Sequence, residues 1–232
     1  MKPFTLILPI YNEEEILEKN VKRLLEHSRS LKVPYQIILV SNGSTDSSLR
    51  IGLDLQQKYP QVKFFSLPQR GVGRAFKRGV LEAQYEHVIF MDADLSVDLS
   101  FIGKSNLLLD KYVLVLGSKI KGLQHRGIIR KLGSFIFYLS VLAVMGLRYV
   151  DYAPGAKAYR KDFLIRYFNY LDDYTSFVLN LTFLASVNKE PIIEIPIACE
   201  DRRKSRFNLW QEAMSKYRGL LGLKFKQLLG EL

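Results

Sequence analysis

HVIFMDADLS, residues 87–96, is the stretch that decides the fold, because an uninterrupted apolar run leads directly into Asp92 and Asp94. An apolar run without alternation is typical of a strand that is buried on both faces, as strands of parallel sheets are. We therefore predict a strand over His87–Met91 that ends at the two carboxylates.

Similar apolar runs alternate with helical patterns through the first half of the chain. The predicted strands are Phe4–Pro9, Gln36–Val40 and Val62–Leu67, and the predicted helices are Glu13–Ser30, Asp46–Tyr59 and Val72–Tyr85. Less regular strands are predicted near Val113–Gly117, Ala156–Tyr159 and Ile192–Ile197. This alternation predicts an α/β fold with a mostly parallel sheet and helices on both faces. Ligands of such sheets bind at the carboxyl ends of the strands, so the loops at 9–13, 41–46 and 92–96 are the candidate site.

The charge of the chain indicates an anionic partner. The 232 residues carry a formal net charge of +11, with 48% hydrophobic and 25% charged residues. A nucleic acid, a phosphorylated ligand or an acidic membrane surface would each complement that charge. The single cysteine, Cys199, excludes an internal disulfide and fits a reducing compartment.

The Asp92-Ala93-Asp94 triplet predicts a metal site. On a strand, residues two apart point to the same side, so the two carboxylates would lie next to each other and repel. A hard divalent cation, Mg²⁺ or Mn²⁺, relieves that repulsion and bridges to a diphosphate. The expected metal ligands are Asp94, Asp92 and Ser96. The alternative is a solvated turn, or a cap for a helix that starts near Leu99.

Four segments together resemble the inverting glycosyltransferases of family 2. They are LPIYNEEE (8–15), VSNGSTD (40–46), GVGRAFKRG (71–79) and MDADLS (91–96), in the order in which that family carries them. The resemblance implies an A-type, Rossmann-like fold that binds a nucleotide-sugar. It also implies a nucleotide pocket formed by Pro9, Tyr11, Glu13, Asn42 and Asp92.

The resemblance also bears on the nucleotide base. The family usually has two acids before Gly-Ser in the second segment, where this chain has Ser41-Asn42. Asn42 keeps one carbonyl acceptor, which suits the single imide donor of uracil better than the two adjacent donors of guanine. The resemblance therefore favours a UDP-sugar slightly over a GDP-sugar.

Further segments resemble polyprenyl-phosphate sugar transferases of the dolichyl-phosphate mannose synthase kind. They are GSK (117–119), RKLGS (130–134), GAKAYR (155–160) and IPIACEDRRKSRFN (195–208). The resemblance implies a polyprenyl or dolichyl phosphate acceptor, held by Lys119, Arg130, Ser134 and Arg203. The implied catalytic residues are Asp92, Asp94, Arg130 and Arg202.

Two apolar stretches are typical of helices that lie on a membrane surface or pack on the protein core. LGSFIFYLSVLAVMGL (132–147) falls short of the roughly 20 residues that a spanning helix needs. Residues 207–232 interleave cations with apolar residues, so we expect a catalytic domain over 1–206 and a basic amphipathic extension over 207–232. With no signal peptide in evidence, we expect peripheral association with the anionic cytoplasmic face of a membrane.

Two other functions stay open at this point. A hydroxyl of a glycan or glycolipid could accept the sugar, with Asp172 or Asp173 as the base. The chain could bind a nucleotide-sugar at a membrane without catalysis. Nucleic-acid binding is not expected, because no recognised nucleic-acid module occurs.

Overall fold

The computed structural model describes residues 1–122, 124–125, 128–153, 155–200 and 209–229. The strands are β1 (Phe4–Ile10), β2 (Tyr35–Asn42), β3 (Val62–Leu67), β4 (His87–Phe90), β5 (Leu114–Ser118), β6 (Gln124–His125), β7 (Lys157–Arg160), β8 (Ile192–Pro196) and β9 (Cys199–Glu200). The helices are α1 (Leu17–Ser30), α2 (Ser48–Lys58), α3 (Val72–Glu82), α4 (Ser100–Leu108), α5 (Ile128–Met145), α6 (Lys161–Arg166), α7 (Phe177–Val187) and α8 (Leu209–Leu228), with a 3-10 helix at Phe168–Tyr170.

A seven-stranded sheet forms the centre, in the order β3-β2-β1-β4-β7-β5-β8. Only β7 runs antiparallel to its neighbours β4 and β5, and the other paired strands of this sheet are parallel. The predicted mostly parallel α/β fold is therefore confirmed. The carboxyl ends of β1, β2, β4 and β5 meet at one edge, which positions the candidate site.

Alternate residues of the central strands pack into two apolar layers. On β1, Leu6 and Leu8 face the layer formed with α1 and α4, whereas Ile7 faces the layer formed with α3, α6 and α7. All three side chains are at most 1% exposed. Helices therefore cover both faces, as continuous apolar strands require.

Helices α5, α7 and α8 form a third apolar cluster beside the sheet. Val141, Leu179, Phe183, Leu220 and Leu223 are buried in it. No helix among the described residues is both long and apolar enough to span a membrane. Helix α5 nevertheless exposes one apolar face, formed by Leu132, Phe135, Ile136 and Leu139.

Several element boundaries differ from the predictions for local reasons. Helix α1 begins at Leu17 instead of Glu13, because the Glu13 carbonyl accepts from the amides of Ile16 and Leu17 in a preceding turn. Helix α3 ends at Glu82 instead of Tyr85, where the Gln36 side chain donates to the Glu82 carbonyl and accepts from the Gln84 amide. The orientation of β7 was not predicted.

Candidate active site at the carboxyl edge of the sheet

A turn, and not a strand, carries the two aspartates. Strand β4 ends at Phe90, and the Leu95 amide donates to the Asp92 carbonyl at 3.2 Å, with Leu95 at a φ of 50°. The prediction that strand alternation places both carboxylates on one side was therefore wrong, because the strand stops before them. Their placement follows from the Asp92–Leu95 turn.

Two hydrogen bonds fix this turn. The Ser96 amide donates to Asp94 Oδ1 at 3.0 Å, and Asn20 Nδ2, buried on α1, donates to the Ala93 carbonyl at 2.9 Å. The loop is thus held both by its own side chain and by the neighbouring helix. A site held in this way needs little rearrangement when a ligand binds.

The loops after β1 and β2 are joined by hydrogen bonds between them. The Asn12 amide donates to Ser44 Oγ at 3.1 Å, and the Glu13 amide donates to Ser48 Oγ at 2.8 Å. The Glu14 amide donates to Asp46 Oδ2 at 3.1 Å. Burial works to raise the pKa of Asp46, but hydrogen bonds from Ser48 and Glu14 outweigh it and hold the pKa below its ordinary value. Asp46 is therefore ionised at neutral pH and joins the two loops.

These loops border a cavity of about 460 Å³. The lining residues are Tyr11, Asn12, Glu13, Glu14, Glu15, Asp46 and Arg70. The structure thus brings together the predicted residues Tyr11 and Glu13. It adds Arg70, whose guanidinium lies 4.2 Å from the centre of the Tyr11 ring in a cation–π contact. Pro9 lies just before this cavity on β1, paired with Val40.

Asn42 makes two buried hydrogen bonds at the end of β2. Its Nδ2 donates to the Ile10 carbonyl at 2.8 Å, and its Oδ1 accepts from the Gly71 amide at 3.1 Å. The side chain therefore joins the ends of β1 and β2 to the start of α3. Contact of Asn42 with a nucleotide base stays a prediction.

The loop before α7 packs against the start of α3. Asp173 pairs with Arg74 at 3.0 Å and with Lys77 at 2.9 Å. A Cβ atom on Gly71 would lie 2.5 Å from the Asp173 carbonyl oxygen, so this close approach requires glycine. The Lys77 hydrogen bond holds the pKa of Asp173 below its ordinary value, whereas burial raises the pKa of Asp172. A base role for either carboxylate stays a prediction.

A cluster of buried charges lies at the ends of β5 and β7. The predicted acceptor residue Lys119 is 4% exposed, and its amide donates to Asp151 Oδ2 at 2.8 Å. Glu194 on β8 accepts from the amides of Val150 and Asp151, both at 3.0 Å, and pairs with Lys121 at 2.7 Å. Burial works to raise the pKa of Asp151, but Lys157 and Lys119 hold it below its ordinary value.

Lys157 is a fully buried lysine in this cluster. It lies at the first position of β7, and its Nζ donates to the carbonyls of Gly117 and Gly155 at 2.8 and 3.2 Å. Burial lowers its pKa to about 8, and Asp151 opposes that shift. Sequence reasoning missed Asp151, Lys157 and Glu194 as site residues. Their one signal was a charged residue inside an otherwise apolar strand or turn.

The remaining predicted residues lie where the structure describes less. Arg130 and Ser134 are on α5, one turn apart, and only their backbone is described. Arg202 and Arg203 lie outside the described residues. Their contact with an acceptor phosphate stays a prediction.

The carboxyl edge fits a metal that takes part of its ligands from a substrate. Within the described ranges, no group of three or more His, Cys, Asp or Glu residues could hold a metal ion. Asp92 and Asp94, with Ser96 beside them, offer oxygen ligands only. Such a set suits Mg²⁺ or Mn²⁺ completed by water and phosphate oxygens, and not a closed zinc site.

Three similar proteins match most of the chain, and two of them match nearly all of it. A dolichyl-phosphate beta-glucosyltransferase of Dictyostelium discoideum is 25% identical over 97% of this chain and 75% of its own length. The human dolichyl-phosphate beta-glucosyltransferase is 24% identical over 99% of this chain and 77% of its own length. An undecaprenyl-phosphate 4-deoxy-4-formamido-L-arabinose transferase of Salmonella choleraesuis is 26% identical over 69% of this chain and 50% of its own length.

Solved structures share the fold at low identity. Glucosyl-3-phosphoglycerate synthase of Mycobacterium tuberculosis, in complex with Mn²⁺, UDP and phosphoglyceric acid, matches with a TM-score of 0.70 and 16% identity, over 96% of this chain and 78% of that one. S. aureus TarS in complex with UDP-GlcNAc matches with a TM-score of 0.61 and 18% identity, over 97% of this chain and 67% of that one. The model of the family described as glycosyl transferase family 2 matches residues 5–168. The chain therefore belongs to glycosyl transferase family 2, and it is a glycosyltransferase.

Proposed function

We propose that this protein moves a sugar from a metal-bound nucleoside diphosphate sugar, with inversion, to a polyprenyl phosphate at a membrane surface. The observation that carries the proposal is the meeting of two sites at one edge of the sheet. The Tyr11 cavity and the Asp92–Leu95 turn lie on one side of this edge, and the buried cations Lys119 and Lys157 lie on the other.

The nucleotide would bind on the side of β1 and β2. Tyr11 offers an aromatic face to the base, and Glu13 offers a carboxylate to the ribose hydroxyls. Arg70, which already lies over the Tyr11 ring, adds a cation beside the expected diphosphate. We propose UDP over GDP, because two of the similar structures contain UDP or UDP-GlcNAc.

Asp92, Asp94 and Ser96 would hold the metal against the diphosphate. When it is bound, Mg²⁺ or Mn²⁺ neutralises charge on the diphosphate leaving group. The similar synthase was solved with Mn²⁺, which favours this class of ion. The protein's part is to hold the two carboxylates in place, through the Ser96 amide and the Asn20 side chain.

The acceptor phosphate would bind on the side of β5 and α5. The proposed ligands are Lys119, Arg130, Ser134 and Arg203, and Arg202 would add positive charge. A phosphate is already ionised at neutral pH and needs no general base to attack the sugar. Asp173 is then not needed as a base, and its ion pairs with Arg74 and Lys77 hold the loop before α7 against α3. Three similar proteins act on dolichyl or undecaprenyl phosphate, as their names state.

The apolar face of α5 would lie on the membrane. Leu132, Phe135, Ile136 and Leu139 are 45–57% exposed and fall on one face of the helix. On α8, Leu221 and Phe225 are 60% and 63% exposed, and Leu229 just after the helix is 55% exposed, while Leu220 and Leu223 pack inward. We propose that residues 207–232 form an extension of the 1–206 catalytic domain which, together with α5, places the acceptor site on the anionic cytoplasmic surface.

A transfer assay tests the proposal. Purified protein is incubated with a UDP-sugar or GDP-sugar, Mn²⁺ or Mg²⁺, and a short polyprenyl phosphate. We expect a lipid product that mild acid hydrolyses, as a glycosyl phosphate is. An acid-stable product would instead assign a hydroxyl acceptor, and absence of any product would leave a binding protein.

Variants of the aspartate turn test the site in the same assay. Asp92→Asn and Asp94→Asn should each lower the rate about a thousandfold, because metal-assisted charge stabilisation contributes several kcal/mol. Asp98→Asn is the matched control, since Asp98 is exposed and caps the amide of Ser100 at the start of α4. Near-normal turnover in both site variants would contradict the proposal.

A further inference from the structure

Lys157 occupies a place where a lysine is costly. It starts β7, the strand between β4 and β5, and its side chain is fully buried. Lysine is almost never fully buried unless it has partners, because desolvating an ammonium group is expensive. Here the described partners are backbone carbonyls, Gly117 at 2.8 Å and Gly155 at 3.2 Å. The ammonium therefore ties the end of β5 to the segment that leads into β7.

That segment supports the Asp92 carboxylate directly. Gly155 has a φ of 87°, and a Cβ atom there would overlap Asp92 Oδ2 and lie 3.0 Å from Asp92 Cγ. The carboxylate therefore packs on the bare Cα of Gly155. The next residue, Ala156, has a φ of 49°, so two successive residues hold left-handed conformations that favour glycine.

The Lys157 ammonium and its two carbonyl partners, here called the clamp, also hold this segment against β5. A Cβ atom on Gly117 would lie 2.6 Å from the Ala156 carbonyl oxygen, so the two backbones touch. Both carbonyls that Lys157 binds, those of Gly117 and Gly155, flank this contact. Loss of the ammonium would leave two buried carbonyls without this donor beside a strained bend.

We propose that Lys157 is a positioning residue, which holds the Gly155–Ala156 bend beneath Asp92 and so fixes the Asp92 carboxylate for the metal and nucleotide. It acts through the backbone of Gly155 and not by touching the reacting atoms. The inference rests on the proposed role of Asp92 in binding the metal–nucleotide complex.

The experiment measures Mn²⁺-dependent binding of UDP to the full chain by isothermal titration calorimetry. Lys157→Met removes the clamp and keeps an apolar side chain of similar length. Lys161→Met is the matched control, because Lys161 Nζ also donates to a buried backbone carbonyl, that of Ala83 at 2.6 Å, just beyond the opposite end of β7. Asp92→Asn serves as the reference for loss of the site itself.

We expect Lys157→Met to weaken the Mn²⁺-dependent binding by about tenfold or more, as loss of a residue that orients a metal ligand does. Lys161→Met should bind like wild type. A Lys157→Met protein that binds like Lys161→Met would overturn the inference while the proposed function stands. An Asp92→Asn protein that binds like wild type would instead overturn the proposed function.

A second variant keeps the test decisive if Lys157→Met does not fold. Gly155→Ala leaves the lysine in place and puts a methyl group against the Asp92 carboxylate. We expect the same weakening of Mn²⁺-dependent UDP binding, with circular dichroism confirming the fold. A folded Gly155→Ala protein with wild-type binding would refute the claim that this bend positions Asp92.

Discussion

The two sides of the carboxyl edge are built by different kinds of interaction. On the nucleotide side, hydrogen bonds join the loops through the half-buried carboxylate of Asp46 and the neutral side chains of Asn12, Asn42 and Ser48. On the acceptor side, buried charges hold the strand ends, chiefly Asp151 and Lys157. The charged groups of the proposed donor side are thus partly exposed, whereas those of the proposed acceptor side form an ion cluster inside the fold.

The two sides differ in how far their charged groups have already lost water in the folded protein. The buried cations of the acceptor side are desolvated and fixed when the protein folds, so Lys119 would meet the proposed acceptor phosphate with little reorganisation. On the nucleotide side, in contrast, the charged residues Glu13, Asp46 and Arg70 stay partly exposed and keep contact with water. The proposed metal ion would add further positive charge there for the donor diphosphate.

Removing the buried carboxylate of the acceptor side should have the largest effect on stability. Asp151→Asn leaves Lys119 and Lys157 without their nearest counter-charge and weakens one of two backbone hydrogen bonds. We expect a loss of about 3 kcal/mol in the free energy of unfolding, measured by urea denaturation.

The control for that variant is a carboxylate in an exposed ion pair. Asp110 pairs with Lys2 at 2.8 Å, and its side chain is 41% exposed. Asp110→Asn should cost less than about 1 kcal/mol. Equal losses for the two variants would show that the acceptor side is not a buried ion cluster.

The corresponding change on the nucleotide side should cost less. Asn42→Asp keeps the acceptor for the Gly71 amide but loses the donor to the Ile10 carbonyl, and it places two acceptors side by side. We expect a loss of about 2 kcal/mol in the free energy of unfolding. Asn188→Asp is the control, since exposed Asn188 makes the same kind of bond to the Leu184 carbonyl at 2.8 Å. A tolerated Asn42→Asp would mean that this amide does not hold the loops.

The exposed apolar face of α5, proposed to lie on the membrane, should matter for vesicle binding and not for stability. Leu132→Ser combined with Leu139→Ser should weaken association with anionic vesicles about tenfold in a sedimentation assay, because two exposed apolar side chains are removed. The control is Leu81→Ser combined with Leu107→Ser, since these leucines on α3 and α4 are 59% and 54% exposed. Equal vesicle binding of the two double variants would argue against the α5 face.

The smallest effect is expected at the ion pairs that join α3 to the loop before α7. The pKa of Asp173 is lowered from 3.8 by Lys77 and Arg74, so the folded state binds fewer protons than the unfolded state. Its contribution is therefore complete at neutral pH and is lost as the pH falls below 3.8. Asp173→Asn should cost about 1 kcal/mol at neutral pH. Thermal unfolding of both proteins across acidic pH should show that difference shrink, and a constant difference would contradict the ion pairs.

The same contrast explains what the sequence could predict. The positions of the strands in the first half and of the Tyr11 loop follow from apolar runs and turn residues, which are local signals. A strand near Ala156–Tyr159 was predicted, but its antiparallel orientation was not, because orientation depends on pairing with the distant strands β4 and β5. Asp151, Lys157 and Glu194 are charged in the pattern and buried in the fold, and only their tertiary neighbours make burial possible. The aspartate pair was correctly placed at the edge, but the turn that holds it was not.

The most direct measurement is anomalous diffraction from crystals of the protein grown with Mn²⁺ and UDP. We expect an anomalous peak within coordination distance of the Asp92 or Asp94 carboxylate and of a diphosphate oxygen, with the uracil near Tyr11. A well-ordered UDP molecule with its Mn²⁺ peak away from both carboxylates would contradict it.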